Sequence, residues 1–210
     1  MSDFNCGCCN DSTEQTETAG ATANWISGPD PMEALLPEEL QVTLGRFLGE
    51  GRIRTLADWA VHLRRQLDGA IEIDDLCHTE KPSQHWGVWN GQRHYFTCFY
   101  DAVILAALVD EPIDIRTQSP KGETITATAV GDEELTVDPD SAVFSFGIDN
   151  AVEEPSGDGP SLQAGYSAIC PYVQAFTNRE SYQEWALQVP AATVSMPLDG
   201  ATALADHLAR

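Results

Sequence analysis

The run AVILAALV at residues 102–109 most strongly constrains how this chain can fold. A helix formed by these residues is apolar on all of its sides, so other elements have to surround it. The run is far shorter than the roughly 18 apolar residues that cross a membrane. With 210 residues the chain can bury a sizeable core, and we expect this segment to be a buried helix.

The segments on either side of this run predict both helices and strands. Helical spacing of apolar residues, with glycine at the end, predicts two helices before residue 70, the second capped by Thr55. Asn90-Gly91 between aromatic and β-branched residues predicts a hairpin. Alternating apolar and polar residues then predict strands within 113–149, and a loop is expected at 151–163. The last predicted elements are a helix at 181–189, a strand at 192–198 and a helix at 200–209.

This order of elements predicts an α+β protein. Residues 1–30 are rich in Thr, Ser, Glu and Gly, and we expect a disordered, acidic, cysteine-containing tail. Residues 31–80 form a helical module with a faint helix-turn-helix pattern. Residues 81–210 form a mixed, mainly antiparallel β-sheet domain with packed helices, and ordered structure is expected to start near Pro37.

The charge balance is strongly acidic. Asp and Glu number 33 against 11 Lys and Arg, which gives a formal net charge of -22, and the lysines are Lys81 and Lys121. Such a surface repels phosphates, which argues against nucleic acid and anionic membranes as partners. Dispersed acids with few lysines also resemble the solvated surface of proteins from a halophilic, high-salt cytoplasm, and we prefer that interpretation.

The six cysteines are expected to be reduced thiols. The N-terminus has neither the basic region nor the apolar core of a signal peptide, which predicts a cytoplasmic protein. Reduced cytoplasmic thiols are candidates for metal binding or catalysis and seldom form a disulfide framework.

Cys98 and Asp101 stand where a predicted strand gives way to the apolar helix. Their spacing puts both side chains on one helical face, where the helix dipole would lower the thiol pKa and burial would raise the carboxyl pKa. A thiol beside a proton-holding carboxyl is suited to acid–base chemistry. The alternative is a small core cysteine with an aspartate that caps the helix, and spacing alone favours this alternative.

The other cysteines give weaker signals. Cys170 can be a buried cysteine at a strand end, followed by Pro171, and Cys77-His78 has no partner at ligand spacing and is interpreted as incidental. Cys6, Cys8 and Cys9 form a C-x-C-C pattern that either holds a soft metal or has no role. We weigh those two interpretations of the tail equally.

The chain resembles the organomercurial (alkylmercury) lyases over roughly residues 84–208. An aromatic-rich stretch leads into Cys98-x-x-Asp101 and the apolar helix, and Cys170 is followed by Phe176 and Trp185 in CPYVQAFTNRESYQEW. The closing segment ATVSMPLDGATALADHL is similar to the last strand and helix of that family. Many members have a second cysteine where this chain has Pro171.

The resemblance implies a winged-helix-like helical segment followed by a mixed sheet domain. It also implies that Cys98, Asp101 and Cys170 are the catalytic trio, with the mercury of the substrate bound by Cys98 and Cys170. The implied reaction is protonolysis of a carbon–mercury bond to a hydrocarbon and Hg(II). No cofactor is then required, because the metal arrives with the substrate and external thiols receive the product.

Two further hypotheses accompany this one. Cys6, Cys8 and Cys9 could relay Hg(II) towards a mercuric reductase. The alternative function is a non-enzymatic carrier or sensor of mercury or copper that uses the same thiols for coordination alone. Asp101 separates the enzyme from the carrier, because only protonolysis needs a proton donor beside the thiols.

Overall fold

The computed structural model describes residues 24–27, 30–67, 69–155 and 159–210. Helices come first and a sheet-rich region follows, so the predicted α+β class is confirmed. The helices are α1 (Glu38–Leu48), α2 (Leu56–Gln66), α3 (Tyr100–Val109), α4 (Leu162–Ile169), α5 (Arg179–Ala186) and α6 (Ala201–Ala209). The strands are β1 (His85–Trp89), β2 (Gln92–Phe96), β3 (Pro112–Gln118), β4 (Thr124–Val130), β5 (Glu134–Asp138), β6 (Val143–Asp149), β7 (Ala175–Phe176) and β8 (Ala191–Pro197).

The strands form two antiparallel sheets. The larger sheet has the order β2-β1-β3-β4-β5, and the smaller has the order β7-β6-β8. The hairpin between β1 and β2 turns at Asn90 and Gly91, whose φ angles of 51° and 72° are those of a tight two-residue turn. The hairpin predicted from Asn90-Gly91 is therefore confirmed.

Helix α3 is largely buried, as its composition predicts. It packs on β1, β2, β3 and β4 of the larger sheet and on α6. The Tyr100 hydroxyl donates a hydrogen bond to the Ala201 carbonyl at 2.6 Å, which ties α3 to the start of α6. Residues from Tyr100 to Ala106 are all buried.

The two N-terminal helices share this core. Helix α1 packs on β6 and β8, and α2 packs on α6. Thr55 caps α2 as predicted: its hydroxyl accepts from the Asp58 amide at 3.0 Å, and the Asp58 carboxylate accepts from the Thr55 amide at 3.2 Å. The division of the chain near residue 80 stays a prediction.

Packed structure begins earlier than Pro37. The Ile26 amide donates to the Ser195 carbonyl at 2.8 Å, beside β8, and Ile26, Met32 and Leu36 are buried. The expectation for the start of ordered structure is wrong because these few apolar side chains are spaced too irregularly to give a helix or strand pattern. Trp25 and Ile26 lie within the predicted tail, and residues 1–23 lie outside the described ones.

The region before Cys170 also differs from expectation. Part of the predicted loop, from Leu162, forms α4, whose N-cap Ser161 accepts a hydrogen bond from the Ala164 amide at 3.2 Å. Cys170 follows α4 in a 3₁₀ turn (Cys170–Tyr172) and not at a strand end. The helix was missed because only Ala168 and Ile169 of its eight residues are buried, which gives a short apolar pattern.

Candidate active site

Cys98 and Asp101 are brought together at the start of α3. Helix α3 begins at Tyr100, so Cys98 precedes its N-cap and Asp101 lies in its first turn. The Cys98 thiol donates a hydrogen bond to Asp101 Oδ2 at 3.1 Å. Cys98 is 4% exposed and Asp101 is 6% exposed. The predicted thiol–carboxyl pair therefore exists, and Asp101 does not act as a simple helix cap.

Burial raises the pKa of the Asp101 carboxyl above its usual value, as expected. Hydrogen bonds from the Cys98 thiol and from the Cys77 amide act in the opposite direction but are outweighed. The Cys77 amide reaches Asp101 Oδ1 at 3.2 Å, so each carboxyl oxygen has one donor. The arrangement favours a carboxyl group that can keep a proton in an apolar setting.

The pKa of Cys98 differs from expectation. The neighbouring Cys170 thiol lowers the Cys98 pKa, but burial and the negative charge of Asp101 together raise it by more, so the net shift is upward. The expected lowering by the helix dipole is wrong for this reason. The upward shift favours the protonated Cys98 thiol, which donates its hydrogen bond to Asp101 Oδ2, and only the thiolate form of such a cysteine can bind a metal.

Cys170 completes the cluster from the other side of the core. The turn after α4 carries it to Cys98 and Asp101, and the ligand atoms of all three lie within 4.8 Å of one another. Its side chain is 9% exposed. The thiols of Cys77 and Cys98, followed by burial, raise the pKa of Cys170 well above its usual value. The group can hold one soft metal ion between two sulfurs and a carboxylate.

A cavity of about 250 Å³ opens on this cluster. Cys98, Asp101 and Cys170 contribute to its wall, and the remainder is largely apolar. The apolar part includes side chains from α1, α2, α3, α4, α6 and β6. Examples are Phe47, Trp59, Leu63, Phe146, Tyr166 and Leu204. An apolar cavity with a few convergent polar groups is typical of a small-molecule site.

Cys77, interpreted from the sequence as incidental, lies beside this cluster. Its amide contacts Asp101, and its thiol donates to Thr97 Oγ1 at 3.1 Å. The Cys170 thiol lowers the pKa of Cys77 to about 7, although burial acts in the opposite direction. No sequence spacing signals this contact, because the whole β1–β2 hairpin separates Cys77 from Cys98 along the chain.

The model of the alkylmercury lyase family matches residues 78–210, which is more than half of the chain. This chain belongs to the alkylmercury lyase family. The matched region contains Cys98, Asp101 and Cys170, and the residues from α1 and α2 that line the cavity lie before it. Cys77 lies one residue ahead of the match to the alkylmercury lyases.

Two further comparisons complete this finding. A crystal structure of the mercury-bound form of MerB2 aligns with a TM-score of 0.47 and 16% sequence identity, over 83% of this chain and 91% of that chain. A search of curated proteins found no match.

Two further predictions concern the N-terminal cysteines and membrane-spanning segments. Cys6, Cys8 and Cys9 lie outside the described residues, so their role as a mercury relay stays a prediction. Within the described ranges, no helix has the length and apolar character needed to span a membrane.

Proposed function

We propose that this chain is an organomercurial lyase that cleaves the carbon–mercury bond of alkyl or aryl mercury compounds by protonolysis. The observation that carries the proposal is the buried Cys98–Asp101 hydrogen bond with the Cys170 sulfur beside it. Cys98 and Cys170 act as mercury ligands, and Asp101 acts as the proton carrier. Membership of the alkylmercury lyase family supports the reaction class.

Substrate binding begins with ligand exchange at the first thiol. Mercury is a soft cation, so it prefers thiolate to oxygen or nitrogen ligands. Cys98 binds the incoming organomercurial and its proton leaves with the displaced thiolate or other ligand. The organic group then lies in the apolar cavity, where Trp59 and Phe146 are among the side chains that exclude water.

The second thiol and the carboxyl group perform the bond cleavage. Cys170 binds the mercury as its proton passes to Asp101, whose carboxyl oxygen lies within 4.8 Å of the Cys170 sulfur. Two thiolates push electron density onto the metal and make the attached carbon more basic. Asp101 then delivers the proton to that carbon, which leaves as a hydrocarbon, while Hg(II) stays bound to Cys98 and Cys170.

The burial of Asp101 suits this proton transfer. A carboxyl with a raised pKa is a stronger base towards a thiol than a solvated aspartate, and it can still release its proton to a carbanion-like carbon. A carrier or sensor of mercury or copper would need only the sulfurs. The protonatable Asp101 beside them therefore favours the lyase over the metal carrier.

The proposed reaction requires no cofactor, and external thiols take up the Hg(II) product. A mercuric reductase is a suitable acceptor further along this route, because it consumes thiol-bound Hg(II). We also propose a cytoplasmic location, where thiols stay reduced.

The test measures hydrocarbon release from methylmercury or phenylmercury in molar KCl with excess thiol. Headspace gas chromatography detects the hydrocarbon. General acid–base groups contribute about 10²- to 10⁴-fold, so Asp101→Asn is expected to lose at least about 10²-fold in rate, and Cys98→Ser a comparable amount. Asp74→Asn, which removes an exposed carboxylate outside the cluster, serves as the matched control and should keep the wild-type rate. A folded wild type that binds Hg(II) but releases no hydrocarbon would exclude the lyase and favour the metal carrier.

A further inference from the structure

We propose that Cys77 is a third mercury-binding thiol, through which the Hg(II) product passes from the buried pair Cys98 and Cys170 to thiols in solution. This inference rests on the proposed lyase function for the origin of the product. It assigns Cys77 a role in product transfer and none in carbon–mercury cleavage.

The backbone fixes Cys77 against the cluster. The segment at residues 77–79 runs alongside β2: the Thr97 amide donates to the Cys77 carbonyl at 2.9 Å, and the Thr79 amide donates to the Tyr95 carbonyl at 2.8 Å. His78 pairs with Phe96 in an antiparallel bridge within this ladder. The Cys77 amide points inward and donates to Asp101 Oδ1 at 3.2 Å. Cys77 is therefore held in one position by hydrogen bonds to both its main-chain amide and its main-chain carbonyl.

The side chain of Cys77 lies between the cluster and the solvent. Its thiol donates to the hydroxyl of Thr97, which is an exposed residue, while its amide faces Asp101 of the cluster. The Cys170 thiol lowers the pKa of Cys77. Among the cysteines in the described part of the chain, Cys98 and Cys170 are buried and Cys77 is partly exposed.

The site thus combines two buried thiols, Cys98 and Cys170, with one accessible thiol, Cys77, on the segment that contacts Asp101. Cys98 and Cys170 line the apolar cavity, whereas Cys77 is not among the residues of its wall. The organic group and the product ion can therefore use different sides of Cys170. A buried two-sulfur site binds Hg(II) tightly and is poorly reached by external thiols, so an accessible third sulfur provides a way out.

The transfer is a ligand exchange in which no atom changes oxidation state. The Cys77 sulfur bonds to Hg(II) and loses its proton, the bond between Hg(II) and Cys98 breaks, and Cys98 takes up a proton. Asp101, which accepts hydrogen bonds from the Cys98 thiol and the Cys77 amide, lies beside both residues. Two external thiols then bind Hg(II), and their protons pass to Cys77 and Cys170.

The experiment loads the full-length protein with one equivalent of mercuric chloride and mixes it with excess glutathione. Loss of the ultraviolet mercury–thiolate absorption gives the rate at which Hg(II) leaves. Cys77→Ser keeps a hydroxyl that can donate to Thr97 and removes only the sulfur, and we expect it to slow transfer by about tenfold or more. Cys77→Ala is measured beside it, so that the result does not depend on one variant, and both must show the circular dichroism of the wild type.

Thr97→Val is the matched control, because it removes the hydrogen-bond partner of Cys77 and leaves the sulfur in place. It should transfer Hg(II) at the wild-type rate. Wild-type transfer rates in both Cys77 variants, or an equal slowing in Thr97→Val, would overturn the proposal. Since Hg(II) is supplied directly, this result is independent of hydrocarbon release, and a failure of the lyase function is recognised separately by the absence of hydrocarbon from the wild type.

Discussion

Asp101 is a charge-bearing group that the folded protein holds at a cost. Its raised pKa means that the folded state binds the carboxyl proton more tightly than the unfolded chain does. The stabilising contribution of Asp101 to the free energy of unfolding is fully present at low pH, where the carboxyl is protonated in both states. This contribution is lost as the pH rises through the pKa of the folded state. Asp101 therefore lowers the stability of the folded protein at neutral pH, and its proposed role as proton carrier explains why such a residue is present.

This cost gives a prediction for Asp101→Asn. The asparagine oxygen can accept from the Cys77 amide, and its amide group can donate to the Cys98 sulfur, so both contacts survive without a charge. We expect the variant to be at least as stable as the wild type at about pH 8, and the difference to shrink at about pH 5. Urea unfolding at the two pH values measures this difference in the free energy of unfolding. For the control Asp74→Asn, the difference from the wild type should not depend on pH. A variant that is clearly less stable than the wild type at both pH values would refute the assignment.

The residues of the site differ in how far they can be predicted from the sequence. The pair Cys98 and Asp101 could be predicted because three positions separate them within one local turn. Cys170 was assigned only through resemblance, since its proximity to Cys98 depends on tertiary packing. Cys77 was missed for the same physical reason: its contact with Asp101 is created by main-chain pairing against β2, which leaves no mark in spacing.

At the scale of elements, α2 positions part of the cavity wall. It contributes Trp59 and Leu63, and its start is fixed by the reciprocal hydrogen bonds between Thr55 and Asp58. Loss of an N-cap hydroxyl usually costs about 1 kcal/mol, and Thr55→Ala should lower the free energy of unfolding by about that amount. Thr55→Ser keeps the hydroxyl and should lose less. Urea denaturation of the wild type, Thr55→Ala and Thr55→Ser measures these free energies of unfolding. An equal loss of stability in both variants would rule out the capping role.

The elements with strong local signals were predictable, and the short ones were not. The apolar composition of α3, the Asn90-Gly91 turn and the alternation in β3 each follow from residues close in sequence. Helix α4 has few buried residues, and β7 has only two residues and exists through pairing with β6. Strand order in the two sheets depends on contacts between distant segments, which periodicity cannot specify.

At the scale of the whole molecule, the net charge of -22 should make stability depend on salt. Dispersed carboxylates repel one another in the compact state, and added ions screen that repulsion. We expect the melting temperature to rise by several degrees between about 0.1 M and about 2 M KCl. Differential scanning calorimetry measures this, with sucrose as an uncharged control. A melting temperature that falls or stays constant in KCl would contradict the interpretation as a halophilic protein.

In the proposed mechanism, Asp101 passes a solvent-exchangeable proton to the carbon that leaves mercury. The most direct measurement is mass spectrometry of the methane released from methylmercury in D₂O with excess thiol. We expect singly deuterated methane from the wild type, one molecule per Hg(II) formed, and loss of this product in Asp101→Asn. Unlabelled methane, or undiminished release by the folded Asp101→Asn variant, would contradict it.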